Sequence, residues 1–175
     1  MSSSLKTTAE KLCNKVLEKF DPKVVNIFDS WLETWTKYLD QESNFTATDL
    51  VQYNPGDIIS VCLGFNVGSE QGGNRPAIVI GKNSRSNKTI LIVPLGSYDK
   101  TKGLKKSEIS LGELAEFNKE TGHAEGTESK VLLGQIRTIS KQRIIKPKTR
   151  HHTKLNIGTE KLKFLEDELI NLIKS

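Results

Sequence analysis

Nine residues, GSEQGGNRP from Gly68 to Pro76, lie between two strand-like runs and end on an arginine whose backbone is constrained by its neighbour. Pro76 locks its own φ and steers Arg75 toward an extended conformation, so the guanidinium leaves the chain from a defined place at a strand's edge. Gly68, Gly72 and Gly73 permit turns that other residues could not make. The segment is not a phosphate cradle of the usual kind: it lacks the GxxxxGK(S/T) spacing, and no helix pattern follows it. On spacing alone it is either a loop that presents a positioned arginine or a hairpin loop that happens to carry a surface one.

The other reactive side chains form no comparable pattern. Paired imidazole acid–base chemistry needs two rings at one reacting centre. His151 and His152 are adjacent on the chain, and His123 lies in a polar stretch. Cys13 and Cys62 lack CxxC or Cys/His spacing, so two reduced thiols and no zinc or other metal are expected.

Three regions must hold these residues. In the first, apolar residues from Ala9 through Leu12, Val16 and Phe20 follow helical spacing. Asp21-Pro22 restarts a helix, Asp as its cap and Pro at its first position. The second helix carries Val24, Phe28, Trp31, Trp35 and Tyr38 at steps of three and four, a narrow apolar seam suited to another helix. A helical hairpin packed on its own domain, self-association, and a cover over a binding groove all fit that seam. Polar residues 41–48 read as a linker, dividing a helical extension, 1–48, from a second domain, 49–175.

In the middle region, residues 57–64, 75–81, 88–95 and 107–111 are short runs rich in Ile and Val, separated by turn formers. Residues 130–139 add a further strand, and 113–119 a short helix. No helix-length segment separates the first three runs, which excludes parallel crossovers and predicts a small antiparallel sheet curled into a barrel. A basic stretch, 142–154, either is a solvated face or extends an anion-binding groove. From Thr159 a final helix sets Leu162, Leu165, Leu169 and Leu172 on one side.

The net charge of +5 suits a polyanionic partner without demanding one. No apolar run is long enough to span a bilayer, and the first residues lack a secretory signal, so a cytoplasmic protein without membrane association is expected.

Read in order, GDII followed by GSEQGGNRPAIVI, then TILIVPL, then VLLGQIRTISKQRI, resembles the three signature blocks of the MazF/PemK family of toxin ribonucleases. The resemblance covers about residues 55–145. It implies an α+β, mainly β protein: a small SH3-like β-barrel with a C-terminal helix, here preceded by an N-terminal helical hairpin. It further implies a homodimer that binds single-stranded RNA at its interface, cuts it without metal or cofactor, and is held inactive by a cognate antitoxin.

The same resemblance assigns residues. Arg75 falls on the family's catalytic arginine, whose two parallel donors could stabilise charge on a phosphoryl group under attack by a ribose 2′-OH. The family's catalytic threonine position is occupied by Gly96, so its role either is lost or passes to Ser97. Glu70 and Gln71 match loop positions beside the RNA path, and Gln135 and Arg137 match a segment along the same groove. Gln135 either reads a base edge or fixes the loop; Arg137 could hold a phosphate; Lys141 and Arg143 would add general phosphate affinity. The expected function is a sequence-selective toxin endoribonuclease. The alternatives are an RNA-binding or antitoxin-binding module with impaired catalysis, and a gyrase-directed toxin on the same barrel.

Overall fold

Asp21 ends one helix and begins the next: its carboxylate accepts hydrogen bonds from the Lys23 and Val24 amides at 2.9 and 3.1 Å, with Pro22 at the first helical position. The helices it separates are α1 (Ser2–Lys19) and α2 (Pro22–Gln41). A four-residue step places Trp31 and Trp35 on one face of α2, where their rings stack with centroids 6.3 Å apart and planes 4° from parallel. Tyr38 meets Trp31 edge-on. The computed structural model describes residues 2–174 and divides into two compact units, Met1–Asn44, which holds these helices, and Phe45–Ser175.

The second unit is built on eight strands: β1 (Asp57–Cys62), β2 (Asn74–Val79), β3 (Thr89–Ser97), β4 (Glu108–Glu113), β5 (Glu128–Leu132), β6 (Arg137–Ser140), β7 (Ile144–Lys146) and β8 (Leu155–Asn156). Every pairing is antiparallel, in the order β4-β5-β3-β2-β1-β7, with β6 also on β3 and β8 also on β1. Two helices complete it, α3 (Ala115–Thr121) and α4 (Thr159–Lys174).

Strand alternation sorts the apolar residues into two layers. Ile58, Ile78, Val93 and Leu95 point to one side, where Phe117 of α3 and Leu165 of α4 complete the packing. Ile59, Val61, Ala77, Val79 and Ile92 point to the other, against Tyr53, Ile139 and Ile144. Each Ile, Val, Leu or Phe among them contributes about 2 kcal/mol when withdrawn from water, so the two layers, not the loops, hold the strands. Leu162, Leu169 and Leu172 join Leu165 on the sheet-facing side of α4, as the leucine spacing predicts.

One expectation is corrected. Residues 130–139 are not a single strand: a one-turn helix at Leu133–Gln135 separates β5 from β6. Both pair with the same edge of β3, Leu95 opposite Val131 and Ile92 opposite Arg137, so the five residues 132–136 stand across from only two, Val93 and Pro94. Pro94 has no N–H to offer a ladder, and the partner strand detours at that point.

Candidate functional site

The loop between β1 and β2 is closed by its own backbone. The Leu63 amide donates to the Gly73 carbonyl at 2.8 Å, and the Gly73 amide donates to the Gly64 carbonyl at 2.7 Å. A Cβ on Gly72 would come within 2.7 Å of the Gly64 oxygen, so this approach requires glycine. Inside the loop, Asn66 Nδ2 donates to the carbonyls of Gln71 and Leu63. Asn66 was not singled out from sequence, although a short amide side chain within a glycine-rich turn is a recognisable local anchor.

Two further segments tie the loop to the barrel. The Gln135 side-chain oxygen accepts from the Gln71 amide at 3.2 Å and from Arg137 Nη2 at 3.3 Å, while its Nε2 lies 3.5 Å from the Ser69 carbonyl. Arg143 Nη1 donates to the Leu63 carbonyl at 3.2 Å. Gln71, Gln135 and Arg137 are thereby one hydrogen-bonded set, in which Gln135 fixes the loop. Glu70 is exposed at the loop's tip.

Arg75 stands on β2 opposite Val61, on the face that carries Ala77 and Val79. It is exposed, and its Nε donates to the Gly72 carbonyl at 3.1 Å. That bond orients the guanidinium while the terminal nitrogens keep their donors for a ligand. Three guanidinium groups (Arg75, Arg137 and Arg143) are thus bonded to the loop or to the glutamine that anchors it, a setting that favours an anion.

The pairing of β2 with β3 ends at Ala77 opposite Pro94. Two residues farther along each strand stand Arg75 and Gly96. By alternation Gly96 belongs to Arg75's face, whereas Ser97 follows Val93 and Leu95 onto the other, paired with Ser129 of β5. On that alternation Ser97 and Arg75 belong to opposite faces.

Lys141 is also not where a phosphate-binding residue belongs. It is only 1% exposed, and its ammonium donates to the carbonyls of Ser84 at 2.8 Å and Arg85 at 3.3 Å. Burial pulls its pKa below the ordinary lysine value. The side chain pins residues 84–85 from inside and is withdrawn from any surface groove.

Among the described residues no group of His, Cys, Asp and Glu is arranged to hold a metal ion, and no helix is long and apolar enough to cross a membrane. Cys13 is exposed and Cys62 buried, and both are free thiols.

A family model described as the PemK-like, MazF-like toxin of type II toxin-antitoxin systems matches residues 54–170. The chain belongs to this family. The match takes in the loop, Arg75, the Gln135–Arg137 segment and most of α4, and leaves the helices of the first unit outside. Among solved structures, MazF from Deinococcus radiodurans is 18% identical, over 72% of this chain and 98% of that one, with a TM-score of 0.46. An endoribonuclease in complex with its cognate antitoxin, from a mycobacterial species, is 11% identical over 71% of this chain and 96% of that one, with a TM-score of 0.47. No curated protein matched the sequence. The family match spans all eight antiparallel strands and most of the C-terminal helix.

Proposed function

We propose that the protein is the toxin of a toxin–antitoxin pair and acts as a metal-independent, sequence-selective endoribonuclease on single-stranded RNA in the cytoplasm. It works as a homodimer and is restrained by a cognate antitoxin. The observation that carries this reading is the exposed Arg75 guanidinium, oriented by the bond from its Nε to the Gly72 carbonyl. In the reaction a ribose 2′-oxygen forms a bond to the adjacent phosphorus and the bond from phosphorus to the 5′-oxygen breaks. The products are a 2′,3′-cyclic phosphate and a 5′-hydroxyl. Arg75 stabilises the negative charge that gathers on the phosphoryl oxygens, where loss of one preorganised donor costs about 3 kcal/mol. Glu70, Gln71, Gln135 and Arg137 shape the path of the strand.

A second reading rests on Gly96. Its lack of a hydroxyl on Arg75's face, with Ser97 turned away, favours a protein that binds RNA or antitoxin and cuts slowly. Incubating the purified chain with long RNA in EDTA separates the two. Cleavage to cyclic-phosphate ends, reduced about 100-fold or more in Arg75→Ala, supports the ribonuclease. RNA affinity without cleavage selects the binding module, and equal cleavage by Arg75→Ala removes the mechanism.

A further inference from the structure

Pro76 follows Arg75 on β2 and by alternation points to the opposite side, where it lines a cavity of about 270 Å3 within the barrel unit. The floor is made by two rungs of the sheet. Lys146, Ser60 and Pro76 lie side by side across β7, β1 and β2, and Leu155 lies beside Ile58 across β8 and β1. Phe117 and His123 form a wall from α3 and the turn after it, their ring centroids 6.0 Å apart. His151 and His152 close the other side from the connection between β7 and β8.

The chemistry of this cavity is divided. Ile58, Pro76 and Leu155 offer an apolar slot, walled by the largely buried Phe117 and the exposed His123 ring. Lys146, His151 and His152 offer donors at the rim, and among the described residues Lys146 and His151 make no ion pair. The His152 ring is held by the Lys148 and Thr149 amides, which donate to its Nδ1 at 3.2 and 3.3 Å and so leave the proton on Nε2. Glu120 adds an acceptor suited to the edge of a heterocycle, and the Thr121 hydroxyl, which donates to the Phe117 carbonyl at 2.7 Å, retains only acceptor capacity there. The volume is near the lower end for small-ligand sites and suits one planar base with its sugar.

We propose that this cavity binds one nucleotide, its base in the apolar slot against Phe117 and its phosphate at Lys146, His151 and His152. The proposal deepens the ribonuclease reading and rests on it for the source of the strand. β3 pairs with β2 only as far as Ala77, so residues 74–76 present an edge without a β3 neighbour. A single strand held at Arg75 turns past that edge and places a neighbouring nucleotide on Pro76's side. Stacking on an aromatic ring with a cation near the phosphate is how single strands are commonly held. The site therefore extends recognition beyond the reacting phosphodiester.

The test uses the full chain with three probes: a 2′-O-methyl oligoribonucleotide, which has no free 2′-OH to attack, free mononucleotides, and inorganic phosphate. NMR follows the Phe117, His123 and His151 side chains, and calorimetry gives affinity. The oligonucleotide should shift all three signals, and they should still shift in Arg75→Ala. Its affinity should fall about tenfold in a Lys146→Ala/His151→Ala double variant and again in Thr153→Trp, which fills the cavity. Shifts with the oligonucleotide alone identify a strand-borne nucleotide, and shifts with mononucleotides as well identify a site open to free ones; either supports the proposal. Silent signals with both, unchanged affinity in both variants, or phosphate binding as tightly as a mononucleotide overturns it. A chain that binds at the cavity but never cuts RNA sinks the ribonuclease reading alone, and one that cuts with a silent cavity sinks this inference alone.

Discussion

The side-chain oxygen of Gln135 accepts the main-chain N–H of Gln71 at 3.2 Å, joining the turn between β5 and β6 to a loop more than sixty residues earlier in the chain. The same oxygen accepts from Arg137, so one amide holds both a loop and a cation. Gln135→Ala strips a partly buried N–H of its partner and should cost about 1 kcal/mol of stability. RNA affinity should fall further than that loss alone explains, because Arg137 loses its anchor as well. Denaturant titration beside RNA-binding isotherms checks both; unchanged affinity would mean that the loop keeps its shape without this bond.

Gly72 should be the least replaceable glycine of the loop. Gly72→Ala drives a methyl group into the Gly64 carbonyl and should cost about 2 kcal/mol. Gly68→Ala meets nothing within 4 Å, and its φ of +60° should cost only about 1 kcal/mol. Comparing urea midpoints of the two variants tests the closure, and the reverse order would refute it.

Adding a hydroxyl where Gly96 stands should raise RNA cleavage. A Cβ there meets only the Lys130 side chain at 3.9 Å, an ordinary contact, and Thr favours a strand. Gly96→Thr should therefore fold and increase kcat by about tenfold, a fraction of the roughly 100-fold or more that a fully positioned acid–base group contributes. Ser97→Ala, altering the opposite face, should leave kcat within about twofold of the parent's. A large loss in Ser97→Ala would show that the strand end rotates when RNA binds.

Lys141 yields a pH signature. Its folded pKa lies below the usual value of 10.5, so the folded chain gives up this proton at a lower pH than the unfolded chain. Between the two pKa values the unfolded state binds more protons, and stability rises with pH. The parent's stability relative to Lys141→Met should climb as pH approaches 10.5 and stay level near neutrality. The substitution should leave the salt dependence of RNA binding unchanged, because no phosphate contact is lost, whereas Arg137→Met should reduce it.

Local signals were legible from the chain alone, and signals that depend on register were not. Asp21-Pro22 announces α2, the leucine spacing announces α4, and Pro76 announces an extended Arg75, because each acts within a turn or two of itself. The face of Ser97 follows from where β2 stops pairing with β3, which no neighbouring residue encodes. Lys141 stands just before the basic stretch 142–154 and reads from sequence as a source of general phosphate affinity. Its burial depends on two carbonyls near residue 84, brought close only when β6 pairs with the start of β3. The nucleotide-sized cavity has the same character, since its walls come from five separate parts of the chain.

The stacked Trp31 and Trp35 have a practical consequence for measuring any of this. They are the only two tryptophans in the sequence, and both lie in the Met1–Asn44 unit, while Tyr53 and Tyr98 belong to the barrel. Indole emission therefore watches the helical hairpin first, and a denaturation curve followed by that light can report a transition the barrel does not share. Variants of the β1–β2 loop are better ranked by far-ultraviolet dichroism or by an engineered indole on the sheet, with the natural pair kept as an independent gauge of the N-terminal helices.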